Sequence, residues 1–175
     1  MRHVGSPKRL GQAIRPLEIN LIRMKLGLMT KDECVDFVEF NITGDTENYN
    51  KCDPESLFLN SSVFNIFAGC FESSNHLFEV VGQTMFNSRK IIPLRNALIT
   101  NLETLKSISN IGEFKCYVTG IFLGRDLLID LAKADPLWEQ CWKFYLRRLI
   151  VINRDLIKLI DRCIDEEKII WFIGY

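Results

Sequence analysis

A chain of 175 residues with 22 basic and 22 acidic side chains, 47% hydrophobic and 25% charged, has the size and composition of one globular domain. That apolar content excludes a wholly disordered chain, and the longest apolar runs, such as 149–152 and 169–173, fall far short of the ~20 residues a membrane-spanning helix needs. Charge cancels overall but not locally: residues 1–28 carry six basic side chains against one acid, and residues 29–60 carry two against eight.

The opening stretch MRHVGSPKRLGQAIR is basic and lacks the apolar run of a secretory signal, so a cytoplasmic protein with a loosely attached segment at 1–15 is expected. Leu17, Leu21, Met24 and Leu28 recur at steps of four, three and four, which predicts a first helix after Pro16. Thr30 and Glu33 form a capping box, in which hydroxyl and carboxylate each satisfy a free backbone N–H, so a second helix is expected from Lys31. It would turn Cys34, Phe37 and Val38 inward and expose Asp32, Asp36 and Glu39, although VDFVEF also tolerates a strand. Residues 41–56, NITGDTENYNKCDPES, have no apolar period and read as a long loop. Asp53-Pro54 suits an N-cap followed by a first-turn proline, opening a helix through Leu57 and Leu59.

Residues 63–71 and 76–86 read as two further helical pieces separated by ESSN, with Gly69 and Gly82 each weakening them by about 1 kcal/mol relative to alanine. Pro93 marks the start of a helix with the stripe Leu94, Leu98, Leu102 and Leu105, ended by SNIG. Residues 113–134 read as helix interrupted near Gly120 or Gly124, with a strand in FKCYVTGIFL as the competitor. Asp135-Pro136 opens the longest element. From Trp138 the seam runs through Trp142, Tyr145, Leu149, Ile152, Leu156, Leu159 and Cys163 at alternating steps of four and three, predicting one helix from Asp135 to Cys163. A second apolar row containing Leu146, Ile150 and Ile157 widens the stripe, as in a helix packed against several others. The expected fold is all-α: a single-domain helical bundle of about six to eight helices over residues 1–175, with minor strand content near Phe37 or Tyr117.

Little in this pattern points to catalysis. The chain has two histidines, His3 and His76, and none of the phosphate-loop, dinucleotide, zinc-protease or nucleophile-elbow spacings. No catalytic residue, metal-ligand set or cofactor is expected. Asp126 with Asp130, and Asp161 with Asp165, share helix faces with neighbouring Arg and Lys residues and read as solvated surface. The acidic loop lacks the glycine and ordered ligand spacing of a calcium loop. Six cysteines without a C-x-x-C pair read as reduced, mostly buried thiols.

The expectation that remains is a non-catalytic cytosolic protein acting by protein–protein binding, as an inhibitor, immunity-type protein or adaptor. Segregated charge is compatible with electrostatically guided association. The partner-binding candidates are Asp36, Glu39, Asp45 and Glu47 in the acidic stretch, Trp138 at the start of the long helix, and Tyr175 in the aromatic closing stretch DEEKIIWFIGY. The alternative is nucleic-acid binding or regulation through the basic N-terminal segment, with the row Arg147, Arg154, Lys158 and Arg162 as support. A helical enzyme with an unrecognised site comes third, and no membrane partner is expected.

Overall fold

Residues 26–31 and 36–175 are described by the structure, a computed structural model. In the stretch 37–41, Val38 and Phe40 alternate with Phe37, Glu39 and Asn41, a period of two that sends the two sets to opposite faces of a strand. This is β1 (Phe37–Asn41). It pairs antiparallel with β2 (Leu57–Asn60) on one side and with β4 (Ile170–Gly174) on the other, and β3 (Gly82–Phe86) completes the order β2-β1-β4-β3. The register Val38↔Leu59, Phe40↔Phe172 and Thr84↔Phe172 aligns one face, and Glu39↔Phe58, Glu39↔Ile173 and Gln83↔Ile173 align the other. Gly174 is required by a close approach: a Cβ there would run into the Val80 carbonyl.

Five helices are present among the described residues: α1 (Ser61–Ser74), α2 (Ser88–Ser107), α3 (Ile111–Thr119), α4 (Gly124–Ala134) and α5 (Trp142–Asp165). Asparagine opens the first three. Asn60 accepts from the Ser62 and Val63 N–H groups, Asn87 from Arg89 and Asn110 from Glu113, satisfying donors that the first turn leaves free. α1 and α2 lie against the sheet, and α5 packs along α2. The core between them is aromatic: Phe64 of α1 lies 4.7 Å from Phe172 and 6.1 Å from Phe40, ring centre to ring centre, with Phe71 and Phe86 alongside. A polar thread crosses the helical layer, where buried Asn153 donates to the Leu98 carbonyl and accepts from Asn101, which in turn accepts from the Tyr117 hydroxyl. Among the described residues no helix is long and apolar enough to cross a membrane.

The all-α helical bundle is therefore corrected to an α+β fold. Of the proposed second helix, Asp36 is a bend with φ +55° and the residues from Phe37 on are β1, and the helix expected through Leu57 and Leu59 is β2. The helix expected over 76–86 gives way to an irregular turn and β3. Both β2 and β4 are covered on both faces, so LFLN and IWFIG read as unbroken apolar runs without the alternation that announces a half-buried strand. Pro93 lies inside α2, which begins at Ser88. The long helix starts at Trp142 rather than at Asp135: the Asp135 side chain accepts from Leu137 N–H and from the Tyr145 hydroxyl and so closes a separate turn. The stripes themselves stand, with Leu94, Leu98, Leu102 and Leu105 of α2 and Leu149, Ile152, Leu156 and Leu159 of α5 all buried. The expected first helix, apart from its last residues, and the segment 1–15 lie outside the described residues.

Candidate functional site

The second face of the sheet carries Phe37, Glu39 and Asn41 from β1, Phe58 from β2, and Trp171 and Ile173 from β4, with Tyr175 just beyond. Residues 43–56 cross this face as a strap between β1 and β2, and polar side chains hold it there. Asn41, fully buried, accepts from the Thr43 and Gly44 N–H groups at 3.2 and 3.0 Å and donates to the Asn50 carbonyl at 3.0 Å. Trp171 donates its indole N–H to the Asp45 carbonyl at 2.8 Å, and the Tyr49 ring lies 4.8 Å from the Trp171 ring. Tyr49 also donates to the Gln83 side chain of β3. Gly44 makes this approach possible, since a Cβ there would stand 2.8 Å from the Trp171 ring.

Glu39 is the most constrained group on this face, at 0% exposure. Its Oε2 accepts from the Cys52 N–H at 2.8 Å and the Tyr175 hydroxyl at 2.6 Å; its Oε1 accepts from the Ser56 hydroxyl at 2.7 Å and the Asp53 N–H at 3.3 Å. A buried carboxylate without such donors would be strongly unfavourable. The Cys52 sulfur lies 3.4 Å from the Tyr175 oxygen. Because the tyrosine proton is directed to Glu39, the thiol is the donor in that contact. Burial, then the hydrogen bonds with Cys52 and Glu39, push the Tyr175 hydroxyl well above the usual tyrosine range, so it stays a donor at neutral pH. Desolvation, followed by the Glu39 charge, raises Tyr49 in the same sense.

Outward, the strap presents an acidic turn. Asp45 Oδ1 accepts from the Glu47 and Asn48 N–H groups, both at 2.7 Å, and these two bonds hold its carboxyl below the usual range. Thr46, at the tip of that turn, borders a groove of about 660 Å³ between the first turns of α2 and the last turn of α5, lined also by Ile91, Ile92, Ile164, Ile169 and Lys168. The buried Cys163 thiol lines the same groove; burial pushes it up to about 11, so it remains protonated. No family model matches this chain, and neither the curated proteins nor the solved structures offer a match.

The candidate residues fall into two groups. Asp36, Asp45 and Glu47 are exposed, and Tyr175 is half exposed with its hydroxyl turned inward. Glu39 is withdrawn from solvent beneath the strap, and Trp138 is buried in the helical layer 6.3 Å from the Phe114 ring, away from the others. Tyr175 and Glu39 are brought together, and Asp45 and Glu47 share one turn. Asn41, Tyr49, Cys52, Ser56 and Trp171 as strap anchors were missed. A glutamate amid the alternation of FVEF was the available signal, since as a strand it sets a carboxylate among apolar neighbours. Of the paired helical carboxylates, Asp161 binds Arg95 at 2.5 Å and Asp130 binds Lys133 at 3.1 Å. Among the described residues no group of three or more His, Cys, Asp or Glu is placed to hold a metal ion.

Proposed function

We propose that this protein acts by binding another protein through the outer side of the strap and the groove beside it, as an inhibitor or adaptor in the cytoplasm rather than as a catalyst. One observation carries the reading. An acidic turn held by the Asp45 side chain, with Asp45 and Glu47 exposed, stands beside a groove that Thr46 borders and that mixes four isoleucines with Asn87, Ser88, Glu167 and Lys168. Apolar ground bordered by oriented charge is the arrangement protein interfaces use: side chains filling the groove supply affinity, and rim charges set association rate and orientation. Pre-organisation favours it as well, because a turn ordered before the encounter loses little entropy on binding. The partner surface that fits has apolar side chains for the groove beside Lys or Arg for the turn.

A photo-reactive residue placed at Glu47 or Ile92 tests the reading in cells, with one at the exposed Glu103 of α2 as control. A single protein species should be captured at the first two positions and not at the control. Reversal of Glu47→Lys together with Asp45→Asn, which keeps the turn's acceptor, should abolish capture at Ile92. Equal capture at all three positions, or none at Glu47 and Ile92 from a folded chain, removes the proposal.

A further inference from the structure

The strap's hold on the sheet has a property that its length and composition do not require. Each oxygen of Glu39 faces one hydroxyl, which can rotate, and one backbone N–H, which cannot: Tyr175 and Cys52 on Oε2, Ser56 and Asp53 on Oε1. A carboxylate satisfies all four because both of its oxygens only accept. An amide cannot, whichever way it is flipped, because its NH2 then meets a backbone N–H head on. The site is therefore built for the charged acid.

We propose that Glu39 is a latch, and that the strap 43–56 opens and closes on it as one unit over a sheet and helical layer that stay folded. Three features join the strap's parts. The consecutive Cys52 and Asp53 N–H groups bond to the two oxygens of one buried carboxylate, Oε2 and Oε1, so withdrawing either group from Glu39 moves the other, to which it is joined by one peptide unit. Cys52 sits at φ +55°, a left-handed conformation that a non-glycine residue keeps only where its surroundings enforce it. Asn41, two residues along the same strand, grips both the start of the strap at Thr43 and Gly44 and its middle at Asn50. The aromatic core meanwhile lies on the other face, where Phe40, Phe64, Phe71 and Phe172 pack without any strap residue. Low-stability units of this kind open independently of the global core. The latch deepens the binding proposal, since an open strap carries the Asp45 turn away from the groove, and it rests on that proposal only for this consequence.

Amide exchange of the isolated full chain, followed residue by residue by NMR, tests the latch without any partner. In the native chain the Cys52 and Asp53 amides should exchange together, and faster than the amides of α1 and α5. In Glu39→Gln the protection of strap amides should fall roughly 10–100-fold, the range for losing hydrogen bonds to a charged acceptor, while α1 and α5 keep theirs. Tyr175→Phe, which removes one of the four donors, should give a smaller loss at the same amides. Unchanged strap protection in Glu39→Gln overturns the latch, as does a fall shared equally by strap and helices. If Glu39→Gln does not fold, the native chain and Tyr175→Phe decide: strap amides that exchange only with global unfolding overturn it. A latch that passes while the capture experiment fails refutes the binding proposal alone, and the reverse result refutes the latch alone.

Discussion

The two faces of one four-stranded sheet are held by different physics. On the helix side, Phe40 and Phe172 enter a buried cluster with Phe64 and Phe71, in which each ring touches several others and no donor needs a partner. On the strap side, the next residues along the same strands are Glu39, Asn41 and Trp171, and beside ring contacts such as Tyr49 with Trp171 the strap is held by directed hydrogen bonds to these three side chains. Burial of apolar area is non-directional and scales with the surface removed from water, whereas a hydrogen bond is nearly neutral when made and costly when left unmade. The first face gives stability, and the second gives a particular conformation to a segment that has little apolar area to bury.

The comparison breaks most visibly on the helix side. Phe172→Ala removes a fully buried ring from the centre of the cluster and should destabilise the whole chain by roughly 3–5 kcal/mol. Chemical denaturation should show strap and helices losing structure at one lowered midpoint. A midpoint within error of the native chain would mean that the cluster is not the source of global stability. Glu39→Gln, by contrast, should act first on the strap, and a global loss as large as that of Phe172→Ala would erase the distinction between the faces.

These regions also differ in how far they could be read from the sequence. The stripes of α2 and α5 were legible because each helix keeps one face in solvent, so Leu94, Leu98, Leu102 and Leu105 stand out against Arg95, Asn96, Glu103 and Lys106. β4 was not, because Ile170 and Phe172 meet the helices while Trp171 and Ile173 meet the strap side, and a strand covered twice loses its period. The loop at 41–56 was legible as a loop from its composition, but not its attachment. Glu39 finds its partners 13, 17 and 136 residues away in Cys52, Ser56 and Tyr175, and no local pattern encodes such a meeting. Reading Glu39 as an exposed acid followed from placing it on a helix, and the same residue on a strand faces the sheet's second side.

A finer cut is made within the strap itself. Trp171→Phe keeps the ring beside Tyr49 and removes only the indole N–H that reaches the Asp45 carbonyl, so the expected cost is about 0.5–1.5 kcal/mol. Its effect should be confined to residues around Asp45, seen as amide shift changes at Gly44 to Asn48 with those at Cys52 and Asp53 unmoved. Shifts spreading equally along the strap would show that the two ends are one contact rather than two anchors on one unit.

The smallest expected effect belongs to the strap's outer turn, where charge is exposed to solvent and salt. In the folded chain Asp45 accepts from the Glu47 and Asn48 N–H groups, and those bonds hold its carboxyl below its usual value. A group depressed by folding contributes stability that is fully present above its unfolded value, about pH 4, and is lost as pH falls through the lower folded value. The contribution therefore disappears on the acid side and leaves neutral pH untouched. Asp45→Asn keeps an oxygen for the same two N–H groups but cannot titrate, so its melting temperature should decline less steeply than that of the native chain below about pH 4. Added salt should shrink the difference, because the site is open to screening, whereas the exchange defect of Glu39→Gln should persist in salt because that carboxylate is enclosed. Parallel acid-side curves for Asp45→Asn and the native chain would show that the turn's hydrogen bonds are made in the unfolded chain as well, and the outer turn would then lose its claim to being ordered before a partner arrives.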